Sequence, residues 1–430
     1  MSEGKLAVEP RCVATSGMLY RCSVSEAQRR EAAKLGDGQW SSGSSPNEDS
    51  NVFKNAQWSP DGTCVLTCSE DNKVRTFVMP ADLLEKYELH ELVPFSVTAK
   101  AEPVYCSDIY PGFVLQDPST TCFLASTRDH PIHLQDALTP RIRGSYPLVS
   151  PTTERYIAPH SILWSSSGTK FICGSDALIS VFDISRVGAG PVERLPTIPS
   201  KRKKLVGGGV GMKGIVSALG LSDRSGSGIL AAGTFTRMVG LYGSEGSGDC
   251  VAVFSVAQTD EGNSRTRTGA GITALEWSPC GRYLYVAERA STEILVYDVR
   301  VAGRQLGSLT GRAAPSNQRL GIHVVPVDGG HEVWAGCDDG TVQIWPHAAE
   351  NPEAPRRPDW AWKAHDGPVA ATVIHPSGTI VATCSGQRYA PPDADEKLEG
   401  SGDCTNVLST SLSSPPVERG VDNSLKIWKL

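Results

Sequence analysis

The side chains in this sequence best equipped for chemistry are a set of arginines in short turn-like strings. Arg128 lies in TRDHP, Arg237 in TFTRM, Arg289 in AERAS, Arg319 in SNQRL and Arg388 in SGQRY. A guanidinium is a planar fork of five donors that suits phosphates and base edges. The chemistry to expect is therefore grip on an anion, with no bond made or broken. The same turns carry Glu70, Asp71, Asp129, Asp176, Asp338 and Asp339, which leaves an ion-paired, solvated rim as an equal alternative. The densest basic run is Lys201, Arg202, Lys203, Lys204, which reads equally as a nuclear import signal, an RNA-backbone contact or a solvated loop.

Catalytic patterns are missing. Gly209–Gly214 (GVGMKG) fits G-x-G-x-x-G, but it precedes a strand-like run, so the helix N-terminus that would hold a phosphate is absent. The chain has no G-x-x-x-x-G-K-[ST], no H-E-x-x-H and no G-x-S-x-G. His130 and His133 are three apart with Pro131 between them, and no acid stands at ligand spacing. The 12 cysteines are scattered without a C-x-x-C pair. Cys64 and Cys68 share one side of a strand-like run and read as buried, reduced thiols. The expectation is no enzyme, no metal and no cofactor.

The elements that must position the arginines repeat. An apolar strand ends in Trp or an equivalent, a four-residue turn follows, then an alternating strand, a polar turn and a short strand. The clearest copies are Ala56–Met79, Ser161–Ile184, Thr273–Val299, His323–Pro346 and Val369–Gln387, with weaker ones at Tyr105–Ala137 and Ile215–Tyr242. The turns SPDG, SSSG, SPCG and HPSG put Pro or Ser early and Gly last, as a tight reversal requires. Seven such units predict an all-β fold, a seven-bladed β-propeller. In that geometry the turn between second and third strands and the link into the first strand open on one face. Arg128, Arg237, Arg289, Arg319 and Arg388 would converge there.

The last unit is split, with its third strand at Leu425–Trp428, and it lacks an outer strand. An open blade exposes an unpaired edge, so an N-terminal strand is expected to close the ring, placed at Gly38–Ser42 around Trp40. Residues 1–35 then form a disordered tail and 36–430 a single propeller, with mobile insertions at 187–209 and 388–422. Ala81–Leu92 has helical spacing and is expected outside the ring. Apolar residues make up 40 % and charged residues 20 %, enough to bury a core. The net charge of −6 confines any nucleic-acid role to a local patch. The opening MSEGKLAVEP has neither a basic n-region nor an apolar h-region. No apolar run is long enough to span a bilayer, so a soluble, intracellular monomer without membrane contact is expected.

The terminal Asp183 and Asp298 and the opening Ala364–His365–Asp366–Gly367 resemble the WD-repeat pattern. Four strings are more specific: Asn51–Pro80, Ser126–Thr139 with its Arg-x-x-Pro-Ile-His core, Ser316–Ile322 (SNQRLGI) and Ala382–Pro392 (ATCSGQRYAPP). They are similar to blades one, two, six and seven of the telomerase Cajal-body WD-repeat protein family, which includes fungal splicing-associated members. The resemblance spans about Trp40 to Leu430. It implies a nuclear, non-catalytic adaptor for small nuclear ribonucleoproteins: box H/ACA or Cajal-body RNA, telomerase RNA or spliceosomal particles. A scaffold that docks only proteins is the alternative. Arg128, His133, Arg319 and Arg388 fall inside the matched strings. The chain departs from the pattern at Leu134–Gln135–Asp136, where Trp is expected before Asp, so the second blade should be looser.

Overall fold

The four turns close as their residues require. In each, the glycine N–H donates to the carbonyl three residues back: Gly62 to Ser59, Gly168 to Ser165, Gly281 to Ser278 and Gly378 to His375, at 2.8–3.0 Å. These glycines take φ between +66° and +73°, where a Cβ is disfavoured. In the computed structural model the described residues are 9–17, 52–85, 87–198, 211–222, 228–257, 269–301, 303–348, 350, 354–387 and 422–430.

Seven sheets follow one another along the chain, antiparallel except for one short edge strand on the seventh. Blade 1 holds Phe53–Trp58, Cys64–Ser69, Lys73–Val78 and Ser96–Ala99; blade 2 holds Val104–Ile109, Cys122–Thr127, Ile132–Asp136 and Ile142–Tyr146. Blade 3 holds Ser161–Trp164, Lys170–Ser175, Leu178–Asp183 and Glu193–Pro196; blade 4 holds Val216–Leu221, Leu230–Thr234, Met238–Tyr242 and Cys250–Ser255. Blade 5 holds Ile272–Trp277, Tyr283–Glu288, Glu293–Asp298 and Gln305–Thr310; blade 6 holds Ile322–Val327, Gly330–Gly336, Thr341–Trp345 and Trp360–Lys363. Blade 7 takes Val369–Ile374, Ile380–Ser385 and Leu425–Lys429 from the end of the chain. The protein is the seven-bladed β-propeller that the repeat predicts.

Second strands such as Cys64–Ser69 and Tyr283–Glu288 are buried at every residue because they are covered on both faces. Alternation along the strand then divides side chains between two neighbours. Cys64, Leu66 and Cys68 pack towards Phe123 and Ala125 of blade 2, whereas Val65 packs towards Ala371 and Ile427 of blade 7. Burial pushes both thiols up to about 11, so they remain protonated packing groups. One apolar cluster fills each gap between adjacent blades, including the gap between the last blade and the first.

The ring is closed by an N-terminal strand, but not by the expected segment. Arg11–Thr15 pairs antiparallel with Leu425–Lys429, Cys12 opposite Trp428 and Ala14 opposite Ile427. Val13 and Ala14 are buried in the cluster that joins blades 7 and 1. Residues 1–35 are therefore not wholly a disordered tail, and the propeller does not begin at residue 36. Gly38–Ser42 and Trp40 lie outside the described residues. The Ala81–Leu92 stretch is not a helix among the described residues. It turns, and His90–Glu91 adds a fifth strand parallel to Arg11–Thr15, with Leu83 and Leu92 buried beneath it. Its apolar spacing serves that packing.

Two further expectations change. The insertion placed at 187–209 contains the outer strand of blade 3, Glu193–Pro196, paired with Leu178–Val181. The insertion placed at 388–422 ends in a buried brace of blade 7. Asp422 accepts from His365 Nδ1 (3.2 Å), the Asp366 N–H (3.0 Å) and Lys426 Nζ (3.0 Å). His365 Nε2 and Trp428 Nε1 both meet Thr383 Oγ1, at 2.7 and 2.8 Å. Blade 2 keeps its four paired strands despite lacking Trp. Gln135 is fully buried in that place, accepting from Lys100 Nζ (3.0 Å) and donating to the Arg141 carbonyl (2.8 Å).

Candidate functional site

The turns between second and third strands meet the links into first strands on one face, by backbone hydrogen bonds between them. The Ala177 N–H donates to the Gly214 carbonyl, Ala290 to Ser316, Asp338 to Ala313 and Gly386 to Pro368. The turns of blades 3 and 5 are thus tied to the link that enters the next blade, and those of blades 6 and 7 to the link that enters their own. Arg128, Arg237 and Arg289 lie on the turns of blades 2, 4 and 5, and Arg319 on the link from blade 5 to blade 6.

This face does not present them as one row of free cations. Arg237 adopts a φ of +64° and reaches blade 5, where Nε and Nη2 donate to both carboxylate oxygens of Glu288 at 2.7 and 2.9 Å. The side chains are 17 % and 1 % exposed, so the pair is a clamp between blades. Gly269, at φ +146°, crosses directly over it, and a Cβ there would stand 2.6 Å from Glu288 Oε2. The Arg289 guanidinium carbon sits over the Phe235 ring of blade 4, 4.1 Å from its centroid, as a cation–π contact. Arg319 turns inward: Nη2 donates to the Ser217 carbonyl of blade 4 at 3.0 Å. Arg128 stays exposed, 3.5 Å from an equally exposed Asp129. His133 is off the face, on the third strand of blade 2, paired in register with Ala125 and Ser145. Burial, with Lys100 and His130 nearby, pushes its imidazole down to about 4 and keeps it neutral. Arg388 and Lys201, Arg202, Lys203 and Lys204 lie outside the described residues.

Several acids brace the rim. Arg75 grips Asp71, its Nη1 at 3.0 Å, with Lys73 at 3.8 Å. Glu70 meets Lys54 at 3.4 Å, and Asp339 caps Thr341. Asp176 is exposed and lines a cleft.

That cleft spans blades 2 to 4 and holds about 550 Å³. Tyr105 and His160 form one wall, stacked with centroids 4.4 Å apart and planes 14° from parallel. Phe235, backed by Arg289, forms another, and Arg128, Asp129 and Asp176 stand at the rim. Burial and the charges of Arg319 and Arg289 lower the His160 pKa against the opposing pull of Asp176. Flat rings beside a cation can stack a planar group and hold a charged one.

The residue motifs did not point to Tyr105, His160 or Arg312. Arg312 is 1 % exposed with no carboxylate partner among the described residues. Its guanidinium donates to the carbonyls of Gly336, Leu320 and Gly321 at 2.9–3.3 Å, which fixes the link that carries Arg319. Burial pushes it down to about 10, still charged at neutral pH. The signal available in the sequence was only an arginine flanked by small residues, GRAAP.

Among the described residues no group of three or more His, Cys, Asp and Glu could hold a metal ion, and no helix is long and apolar enough to cross a membrane. Residues 37–77 match the family described as WD domain, G-beta repeat. The human telomerase Cajal body protein 1 is 29% identical over 379 residues, covering 87% of this chain and 63% of the relative. The cattle protein of that name is 30% identical over 355 residues, 81% of this chain and 61% of the relative. The guanine nucleotide-binding protein negative regulator 1 of Schizosaccharomyces pombe is 30% identical over 305 residues, 70% of this chain and 72% of the relative. The chain thus spans a little over three fifths of the length of the mammalian relatives it matches.

Proposed function

This chain belongs to the WD-repeat family that contains telomerase Cajal body protein 1 and its fungal relatives, and we propose that it is a non-catalytic nuclear adaptor that binds small nuclear RNA or its ribonucleoproteins. The supporting observation is the cleft on the loop face, where exposed Arg128 stands beside the stacked Tyr105 and His160 and beside Phe235. Arg128 belongs to the STRDHPIH string that carries the resemblance. An arginine fork beside aromatic rings suits single-stranded RNA, whose bases stack while its phosphates pair with cations. Lys213, exposed on the adjoining link, adds a second cation at the cleft edge. A protein-only scaffold is favoured by a different observation, the carboxylates of Asp129 and Asp176 in the same lining, which suit a cationic side chain.

The two readings separate in a salt series. The full chain is titrated with box H/ACA, telomerase and spliceosomal small nuclear RNAs, as wild type and as an Arg128→Ala/Lys213→Ala variant. RNA binding through this face predicts a slope of log K against log salt that is shallower in the variant by about 1 to 1.5. Wild type that binds no RNA at low salt refutes direct recognition and leaves the protein scaffold. Equal slopes move the RNA site off this cleft.

A further inference from the structure

Other acids on the loop face have partners. Asp71 is gripped by Arg75, Glu70 meets Lys54, Asp129 stands 3.5 Å from Arg128, and Asp339 caps Thr341. Asp176 differs. It follows the second strand of blade 3, and an isolated antiparallel bridge to Ile215 ties its backbone to the link that enters blade 4. The adjoining Ala177 N–H donates to the Gly214 carbonyl at 3.0 Å. The backbone is thus held in place, and the exposed side chain lines the cleft with Tyr105, His160 and Phe235. Among the described residues its carboxylate accepts no hydrogen bond and has no cation within ion-pair distance. His160 supplies no counter-charge at neutral pH, because burial and the charges of Arg319 and Arg289 hold its pKa below 6.5.

An acceptor-only group in an aromatic cleft selects a ligand by its donors. A carboxylate presents two oxygens and can meet two parallel N–H groups. Of the RNA bases, guanine alone offers that pattern on its pairing edge, N1–H beside the N2 amino group. Adenine and cytosine place a ring-nitrogen acceptor beside their amino group, and uracil flanks its N3–H with two carbonyls. Each of these would set an acceptor against the carboxylate, which costs the contact. The same lining carries Arg128, on the turn of blade 2. A lysine or arginine side chain would satisfy Asp176 but meet that guanidinium as a like charge. A guanine nucleotide brings a donor edge and a phosphate together, and so matches both.

We infer that the cleft is a guanine pocket, in which Asp176 accepts from N1–H and the N2 amino group, the Tyr105, His160 and Phe235 rings flank the base, and Arg128 takes the attached phosphate. Asp176 is then the residue that sets base specificity. The inference rests on the RNA reading above when the guanine belongs to an RNA chain; a free guanine nucleotide carries the same chemistry.

The test uses the full chain and short single-stranded oligouridylates with one central base varied: guanine, hypoxanthine, adenine, cytosine or uracil. Guanosine monophosphate is the free nucleotide. Wild type should prefer central guanine to adenine, cytosine and uracil by about tenfold or more, within the range of a bidentate base contact. Hypoxanthine, which lacks the N2 amino group, should fall between, and this swap tests the contact on wild type alone. Asp176→Asn keeps the shape and removes the charge and one acceptor. It should weaken the guanine RNA by about the same factor and leave the others unchanged or tighter, because a carboxylate repels phosphates. Opposite signs separate base reading from general electrostatics, and an unchanged thermal midpoint shows that the variant folds. Guanine RNA that binds much more tightly than guanosine monophosphate identifies RNA as the source. Equal binding of the two, both lost in Asp176→Asn, assigns the pocket to a free guanine nucleotide. RNA binding without base preference, or tightening of every RNA alike in Asp176→Asn, overturns the guanine pocket and leaves the adaptor reading standing. Wild type that binds no RNA refutes the adaptor reading instead, and the pocket then stands if guanosine monophosphate binds through Asp176 and falls if it does not.

Discussion

Replacing Arg237 with methionine tests the clamp between blades 4 and 5. Glu288 is 1 % exposed on its side chain and faces Arg237 through two short hydrogen bonds, at 2.7 and 2.9 Å. Methionine keeps much of the volume and leaves a carboxylate buried without its cation. Breaking one partner of a buried pair in this way costs about 3–5 kcal/mol. Unfolding entropy near the midpoint scales as about 2.1 cal/mol/K per residue, so a chain of this size has roughly 0.9 kcal/mol/K, and the midpoint should fall by about 3–6 °C. The assay is thermal and denaturant unfolding of Arg237→Met, Glu288→Leu and the double variant. The double variant removes both charges, so it should recover at least about 2 kcal/mol relative to Arg237→Met, a coupling typical of groups in contact. A loss below about 1 kcal/mol in Arg237→Met, or a double variant no better than the single, would refute the clamp and return Arg237 to the solvated rim.

Further outcomes follow from other contacts. Gly269→Ala brings a Cβ within 2.6 Å of Glu288 Oε2 at a φ of +146°, so it should lower the midpoint by a similar amount, and its effect should shrink in the Glu288→Leu background. Asp422→Ala strips four donors of their acceptor in the blade 7 brace and should cost about 3 kcal/mol or more in denaturant unfolding. Val13→Asp buries a charge in the strand that closes the ring; amides of Leu425–Lys429 should then exchange with deuterium much faster, while those of Tyr283–Glu288 lag behind. His133 is held neutral in the fold, at about 4 against 6.5, so on acidification the unfolded chain takes up its proton first. Stability should fall between about pH 6.5 and pH 4 and level off below, by on the order of 1–2 kcal/mol after discounting for the ring's partial exposure. His133→Gln should flatten that limb, and an unchanged profile counts against the burial assigned to this ring.

Much of the architecture was legible because it is local. SPDG, SSSG, SPCG and HPSG each set a reversal through their own backbone preferences, and the strands between them alternate as a two-sided sheet must. Counting these units was enough for seven blades and for the need to close the last one. The identity of the closing strand was not legible. Trp40 made Gly38–Ser42 look like a strand, but the position is filled by Arg11–Thr15, whose partner is more than 400 residues away in sequence. No local pattern reports which of two short segments pairs best with a distant edge. The same limit applies to Ala81–Leu92, whose apolar spacing fits a helix until the neighbouring edge at Ala14 and Thr15 draws His90–Glu91 into a sheet.

The arginines divide along the same line. The sequence by itself determined that Arg128, Arg237, Arg289 and Arg319 lie on turns or links that share a face, because turn position follows from strand count. It did not determine what each guanidinium does, since their partners come from other blades: Glu288 for Arg237, Phe235 for Arg289 and the Ser217 carbonyl for Arg319. Only the closed ring sets those distances. Whether a charge is paired, stacked or held by a backbone carbonyl depends on which groups lie within a few ångströms, and in a propeller those come from strands tens to a hundred residues apart. Turn chemistry and strand alternation are properties of neighbours in sequence, whereas the electrostatics of the site are properties of neighbours in space.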